Sequence, residues 1–318
     1  MFSSNETIQE RYAKLSSLAV IPEINPRTGT PLKPKWLKVD LTGGETLYQI
    51  KNNLREKRLY TVCEEAKCPN ISECWNSGTA TFMILGDVCT RACRFCHVKT
   101  GNPEGLLDKE EPLKVAQTIH TMGLSYAVIT MVDRDDLPDG GAEHIARTLV
   151  AIQELTPKTR VEILAGDFQG NSHALERVIC AGRGLDVFAH NLETVRRLSP
   201  RVRDARAKYD QSLEVLKTAL KIAPQGQLFT KSALMLGLGE EFNEVEETLK
   251  DLRSVGVEIV TIGQYLQPTK KHLSVKRFVH PAEFKFWREY ALELGFKGVA
   301  AGPLVRSSYK ASHLFEEL

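Results

Sequence analysis

Six of the seven cysteines of this 318-residue chain fall between residues 63 and 96, in two groups of three. Cys63, Cys68 and Cys74 are spaced C-x4-C-x5-C, and Cys89, Cys93 and Cys96 are spaced C-x3-C-x2-C. No other feature restricts the fold as tightly, because each triplet requires the backbone to bring three thiols together. Disulfide frameworks serve small secreted domains that cannot build a core. This chain is long enough to build one, and its start, with Glu6 and Glu10 and no apolar stretch, reads as neither a secretory nor a transit leader. Structural zinc usually draws four ligands, often as two C-x2-C pairs, and only one such pair is present. Three thiolates with one open position suit a cubane iron–sulfur cluster whose remaining iron is free for another ligand. On spacing alone the iron–sulfur reading stands first, zinc second, and disulfides or inert core thiols last. Reduced thiols in this number predict a reducing compartment, most simply a bacterial cytoplasm.

Composition narrows the partners. The chain is 42% hydrophobic with a formal net charge of +2, which gives no electrostatic reason to expect a nucleic acid or a membrane surface. No apolar run reaches the roughly 18 residues a membrane helix needs. No extra apolar face is evident, so a monomer is expected.

From about residue 79 onward the pattern is strand then helix, repeated. ATFMILG, YAVITMV (126–132), RVEILAG (160–166), LDVFAH (185–190), TKSALMLG (230–237) and EIVTIGQYL (258–266) read as strands. They are apolar runs without clean alternation, which suits a parallel sheet covered on both faces. Helices are expected over 112–122, 142–155, 172–181, 209–223, 241–255 and 281–294. KGVAAGPLV (297–305) reads as a short last extended segment. Six βα units in series predict a parallel barrel, complete or incomplete, with right-handed crossovers. Upstream, residues 1–36 are polar and then rich in proline, which predicts an extended arm docked by Trp36, Leu37 and Val39. A short helix is expected over 45–57, with Leu47, Ile50 and Leu54 on one face. The first triplet is expected in a loop or a helix broken at Pro69 and Asn70.

In parallel barrels, function gathers where the strands end, and the polar residues sit there. The second triplet follows the first strand. Asp133, Arg134, Asp135 and Asp136, then Gly140 and Gly141, follow the second. Asp167 follows the third, His190 and Asn191 the fourth, Gly239 and Glu240 the fifth, and Gln264, Tyr265 and Gln267 the sixth. Lys231 opens a strand, where a stability role is expected. Cys180 closes a helix and reads as a buried apolar side chain. Arg196, Arg197, Arg201, Arg203 and Arg206 form a basic segment, either a solvated face or a docking patch.

C-x3-C-x2-C with an aromatic, Phe95, before its last cysteine resembles the signature of the radical S-adenosylmethionine (SAM) enzymes. The resemblance implies a partial (β/α)6 barrel with a [4Fe–4S] cluster on Cys89, Cys93 and Cys96, and SAM on the fourth iron. It also suggests Asp133, Gly140, Gly141, Asn191 and Gln264 as SAM contacts alongside Phe95. The glycine pair has an equal alternative as a helix-entry turn. CEEAKCPNISECW, VDRDDLPDGGA, TKSALMLGLGE, IGQYLQPT and GPLVRSSY narrow the resemblance to the lipoyl synthase family. That family inserts two sulfur atoms, at C6 and C8, into an octanoyl chain held on a lysine of a lipoyl carrier domain. The resemblance implies a second, auxiliary [4Fe–4S] cluster on Cys63, Cys68 and Cys74, consumed as the sulfur source, with Ser308 favoured over Ser307 as its fourth ligand. It implies residues 1–78 as arm and auxiliary segment, 79–296 as barrel and 297–318 as a C-terminal segment. Expected partners are a glycine cleavage H protein or a 2-oxoacid dehydrogenase E2 domain as carrier, and flavodoxin or ferredoxin as electron donor. The chain departs from the family pattern at Arg94, His97, Met131, Ala165, Gly166 and Ala189. His97 is expected to touch SAM or to cap a turn. Another radical SAM sulfur-inserting or methylthiolating enzyme is the alternative within enzymes, and a non-catalytic iron–sulfur or zinc protein the alternative outside them.

Overall fold

Apolar runs buried on both faces become the strands of one sheet. In the computed structural model, which describes residues 7–27, 29–38, 48, 52, 54–65, 68–76 and 81–316, the strands are β1 (Tyr60–Thr61), β2 (Thr81–Ile84), β3 (Val88–Cys89), β4 (Lys99–Thr100), β5 (Tyr126–Met131), β6 (Arg160–Leu164), β7 (Val187–Ala189), β8 (Phe229–Leu236), β9 (Ile259–Gln264) and β10 (Gly298–Gly302). Eight of them form a sheet in the order β1-β2-β5-β6-β7-β8-β9-β10. Every neighbour pair is parallel except β1 with β2, which is antiparallel at the edge. The α-helices with bounds among the described residues are α1 (Ile8–Ser16), α2 (Val62–Glu65), α3 (Ile71–Asn76), α4 (Glu111–Met122), α5 (Ala142–Leu155), α6 (Ser172–Ile179), α7 (Ser199–Val202), α8 (Tyr209–Ile222), α9 (Phe242–Ser254), α10 (Pro281–Glu293) and α11 (Ala311–Glu316), and residues 54–56 are helical as well. The result is a partial barrel whose strands are followed by covering helices.

The last extended segment is more than an appendage. Gly298 to Gly302 pair with Ile259 to Gly263 of β9, so the parallel sheet gains a strand beyond the six expected. Its glycines and alanines carry little strand propensity; pairing with β9 decides the conformation. The end of the barrel where the strands start is filled by α11. Leu314 packs with Val187 and Ile259, and the Phe315 ring lies 5.8 Å from Tyr126 and 5.7 Å from Phe229. Above this plug, Lys231 Nζ donates to both oxygens of Glu162, at 2.8 and 3.0 Å, and the Tyr126 hydroxyl donates to the same carboxylate.

The N-terminal arm corrects an expectation. Residues 8–16 form a helix, with a Thr7–Glu10 capping box at its start. Only Tyr12 and Leu15 of α1 are buried, too few to register as helical periodicity. An aromatic nest holds it: Tyr12 lies 4.7 Å from Phe242 and 5.5 Å from Trp287. Beyond α1 the arm runs extended, bridging Val20 to Phe278 and Ile24 to Pro31, with Leu37 buried. In the helix expected over 45–57, Leu54 is buried; Val39, Leu47 and Ile50 lie outside the described residues. Cys180 is exposed. It follows the last turn of α6, whose inner face is taken by Ala174, Leu175, Val178 and Ile179.

Candidate functional site

The first cysteine triplet sits in a helix broken at a proline. Cys63 lies in α2, Cys74 in α3, and Cys68 just before the Pro69–Asn70 turn. Several polar contacts tie this segment to the far end of the chain, among them the Lys310–Glu73 ion pair at 3.4 Å. Asn70 Nδ2 donates to the Leu304 carbonyl at 2.6 Å, and the Tyr309 hydroxyl meets Glu73 at 3.2 Å. Ser307 and Ser308 lie on the tied stretch.

The second triplet is gripped from several strand ends. Thr90 N–H and its hydroxyl both donate to the Asp133 carbonyl at 2.9 Å. Arg91, within the motif, is the main fastener. Its guanidinium forks onto Asp135 at 3.0 and 2.9 Å and onto Asp167 at 2.9 and 2.6 Å. Asp204 accepts from Ala92 N–H, and its own N–H donates to Cys93 Sγ at 3.3 Å. Burial pushes Asp167 up, but the Arg91 bonds outweigh it and hold the carboxyl at about 2. Asp133 is pushed up to about 6 by burial, against the pull of Arg91. The charged knot after β5 therefore clamps the cysteine loop through Asp135, while Arg134 pairs with Asp136 and donates to the Leu85 carbonyl.

Both triplets line one cavity of about 720 Å³, together with Phe95, Asp133, Asn191, Gln264, Ser307 and Ser308. Alternate residues of the strands face it, for example Thr81 and Met83, Ala233 and Met235, Thr261 and Gly263. His97 bonds the Glu65 carbonyl at 2.9 Å, and His272 bonds the Cys96 carbonyl at 2.8 Å with its ring 5.8 Å from His97. His97 thereby links the two cysteine segments.

Other expected contacts are redistributed. Gly140 and Gly141 do not line the cavity. Gly141 caps α5 at φ +88°, and a Cβ there would meet Leu85 Cδ1 at 2.7 Å; the turn requires glycine for entry to the helix. Gln264 lines the cavity, but its amide is spent on the chain. Nε2 donates to the carbonyls of Leu236, Tyr265 and Arg277, and Oε1 accepts from Val279 N–H. Asn191 is different: Nδ2 donates to Glu193, while Oδ1 is buried without a partner, as is Thr261 Oγ1.

Three cavity residues carry signals that the sequence hides. Arg203, one of the basic run, is buried; its Nη1 donates to Ser212, and it forms no ion pair among the described residues. Glu193 holds a left-handed backbone, φ +68°, costly for a side chain of this kind. Arg306 is half-buried beside Cys68 and donates to the Val305 carbonyl at 2.7 Å. Three others of the basic run are neutralised at home, and Arg201 is exposed. Arg196 pairs with Asp210 and Asp251, Arg197 with Glu244, and Arg206 with Asp204 and Asp135.

Soft thiolates fit an iron–sulfur centre. Among the described residues, no three His, Cys, Asp or Glu side chains close around a single metal ion. Burial pushes all six thiols up, Cys89 to about 11 and Cys74 and Cys93 to about 12, so ionising them needs a cationic centre in the cavity.

The Radical SAM superfamily model matches residues 83–252. Methylornithine synthase shares the fold, with a TM-score of 0.56 at 14% identity over 91% of this chain and 73% of that one. The chain is thus a radical SAM enzyme, a class that uses SAM and a [4Fe–4S] cluster. The model for the N-terminal domain of lipoyl synthase matches residues 23–68. Lipoyl synthase of Thermus thermophilus is 56% identical over 90% of this chain and 87% of its own length. The mitochondrial lipoyl synthase of Lachancea thermotolerans is 54% identical over 89% of this chain and 77% of its own length. The chain belongs to the lipoyl synthase family. Its activity is lipoyl synthesis, and its substrate is borne on a lipoyl carrier protein. No helix among the described residues is long and apolar enough to cross a membrane.

Proposed function

We propose that Cys89, Cys93 and Cys96 hold the SAM-binding [4Fe–4S] cluster, and that Cys63, Cys68, Cys74 and Ser308 hold an auxiliary [4Fe–4S] cluster that gives up two sulfurs to C6 and C8 of a protein-bound octanoyl-lysine. The supporting observation is that both triplets line one cavity. When bound, the cluster and SAM supply a 5′-deoxyadenosyl radical, which an unactivated C–H bond requires because no side-chain base can deprotonate it.

The chain's own residues bind, orient and exclude water. Arg91, pinned by Asp135 and Asp167, keeps the C-x3-C-x2-C loop in one conformation. The unpartnered Asn191 Oδ1 suits an ammonium group, and Arg203 without a carboxylate partner suits a carboxylate; together they match the two ends of an α-amino acid such as the methionyl part of SAM. Met83, Met131, Leu164, Ala233 and Met235 give the cavity an apolar wall that keeps water from a reactive carbon. The Asn70–Leu304 and Tyr309–Glu73 bonds hold the serine-bearing stretch against the first triplet. The carrier is an octanoylated H protein or E2 domain, the electron donor a flavodoxin or ferredoxin, and the compartment the cytoplasm.

The test is product mass from anaerobic single turnover with SAM, dithionite and an octanoyl-lysine peptide, alongside iron counts. Two added sulfurs with 5′-deoxyadenosine support the reading. The triple substitution of Cys63, Cys68 and Cys74 to Ala is expected to keep about half the iron and SAM cleavage but to lose sulfur insertion. Sulfur insertion surviving that substitution would sink the sulfur-source assignment.

A further inference from the structure

A carrier-borne substrate must be delivered at the mouth of the cavity, so a second protein has to meet the residues around it. The arginine run at 196–206 does not serve, because folding pairs or buries most of it. The rim carries another cationic set. Lys33 and Leu37 line the cavity from the arm, and Gln267 and Pro268 line it from the loop after β9. Lys35 and Lys38 flank Leu37, and Lys270 and Lys271 follow Pro268. The two segments meet: Lys270 Nζ stands 2.6 Å from where a Gly29 Cβ would be. All five lysines are exposed, and none forms an ion pair among the described residues. Beside them Ile24 and Leu32 are 58% and 47% exposed. Like charges gathered without counter-ions repel one another, and a partner of opposite charge relieves that repulsion.

We propose that the arm around residues 32–38 and the loop at 270–271 form the docking face for the octanoylated carrier domain, and that the carrier presents an acidic surface around its acyl-lysine. The apolar Ile24 and Leu32 supply the dry part of the contact and the lysines its charged rim. Steering by the lysines brings the acyl-lysine to the cavity entrance in one orientation. The proposal rests on the octanoyl-lysine reading above, and the experiment separates the two.

The cluster-loaded protein is assayed with an octanoylated H protein and, in parallel, with a short octanoyl-lysine peptide. In the variant K35E/K38E/K270E/K271E, KM for the carrier is expected to rise about tenfold or more, with kcat and the peptide KM unchanged. A control, K158E/K221E, is expected to leave both substrates alone. As a second measurement on the unmodified protein, raising NaCl is expected to raise the carrier KM and not the peptide KM. A carrier KM insensitive both to salt and to the four reversals would overturn the docking face. So would a parallel rise for carrier and peptide, which would mean that the lysines act on the acyl-lysine itself. No product from the peptide with unmodified protein would instead bring down the octanoyl-lysine reading.

Discussion

Removing the Lys231 ammonium from the barrel floor is expected to destabilise the fold through charge and not through packing. Lys231 and Glu162 are each 1% exposed, and methionine fills nearly the same volume as lysine. In K231M the Glu162 carboxylate keeps only the Tyr126 hydroxyl, at 2.8 Å. Breaking a buried pair by deleting one partner costs about 3–5 kcal/mol. The remaining bond moves the expectation to the lower end, roughly 3 kcal/mol. At about 2 °C per kcal/mol for a chain of this size, the melting temperature should fall by roughly 6 °C. Adding E162L removes the stranded charge. Apolar replacement of a whole buried pair is often neutral or stabilising by about 1–4 kcal/mol. Tyr126 then loses its acceptor, about 1 kcal/mol in the other direction. The double variant should therefore melt close to the unmodified protein. Calorimetry on reduced apo-protein reads all three. A loss below about 1 kcal/mol in K231M, or a double variant no better than the single, would refute the electrostatic account.

Stability should also depend on His190. Burial, then the Arg203 cation, holds this histidine down at about 4, from an ordinary 6.5. The unfolded chain therefore takes up the proton first, and the fold loses up to roughly 3 kcal/mol as pH falls from 6.5 toward 4. The loss is absent above that window and complete below it; H190Q should flatten the slope there in urea titrations, and an unchanged slope would exclude His190 as its source. Gly263 faces the Val305 carbonyl so closely that a Cβ would be driven into it, with Arg306 Nη1 at 3.4 Å. G263A should push residues 304–309 off the first triplet, leaving about half the iron in a protein that still folds; full iron retention would contradict that geometry.

Much of this was legible because chemistry and period are local signals. Six thiols within a short stretch declare a cluster site by spacing. Strand runs buried on both faces declare a parallel sheet, and their polar ends mark the cavity side. What stayed hidden depends on distant neighbours. Arg91 looks like one more charge until Asp135 and Asp167 close on it. Arg203 reads as part of a surface run, and only the fold turns it inward. Gln264 sits at the expected strand end, yet carbonyls from three separate residues exhaust its amide. Cys180 reads as core because an unpaired cysteine is among the side chains most often buried, but its phase carries it past the buried face. The α1 helix is held by Phe242, Phe286 and Trp287, more than 200 residues away in sequence, and no local pattern encodes that contact.

The bond between Asn70 and Leu304 spans 234 residues, so the shelter of the first triplet requires one of the longest loops the chain closes. The wall joining the first triplet to the serine-bearing stretch carries the loop-closure entropy of that separation, which pairing of β10 with β9 lowers by bringing residues 304–309 to the sheet. Without that wall Cys63, Cys68 and Cys74 would lose one side of their cavity. With it in place they are reached through the cavity. The shelter of the first triplet is thus a long-range contact, and an opening of that wall alone would expose these thiols while the rest of the sheet stays paired.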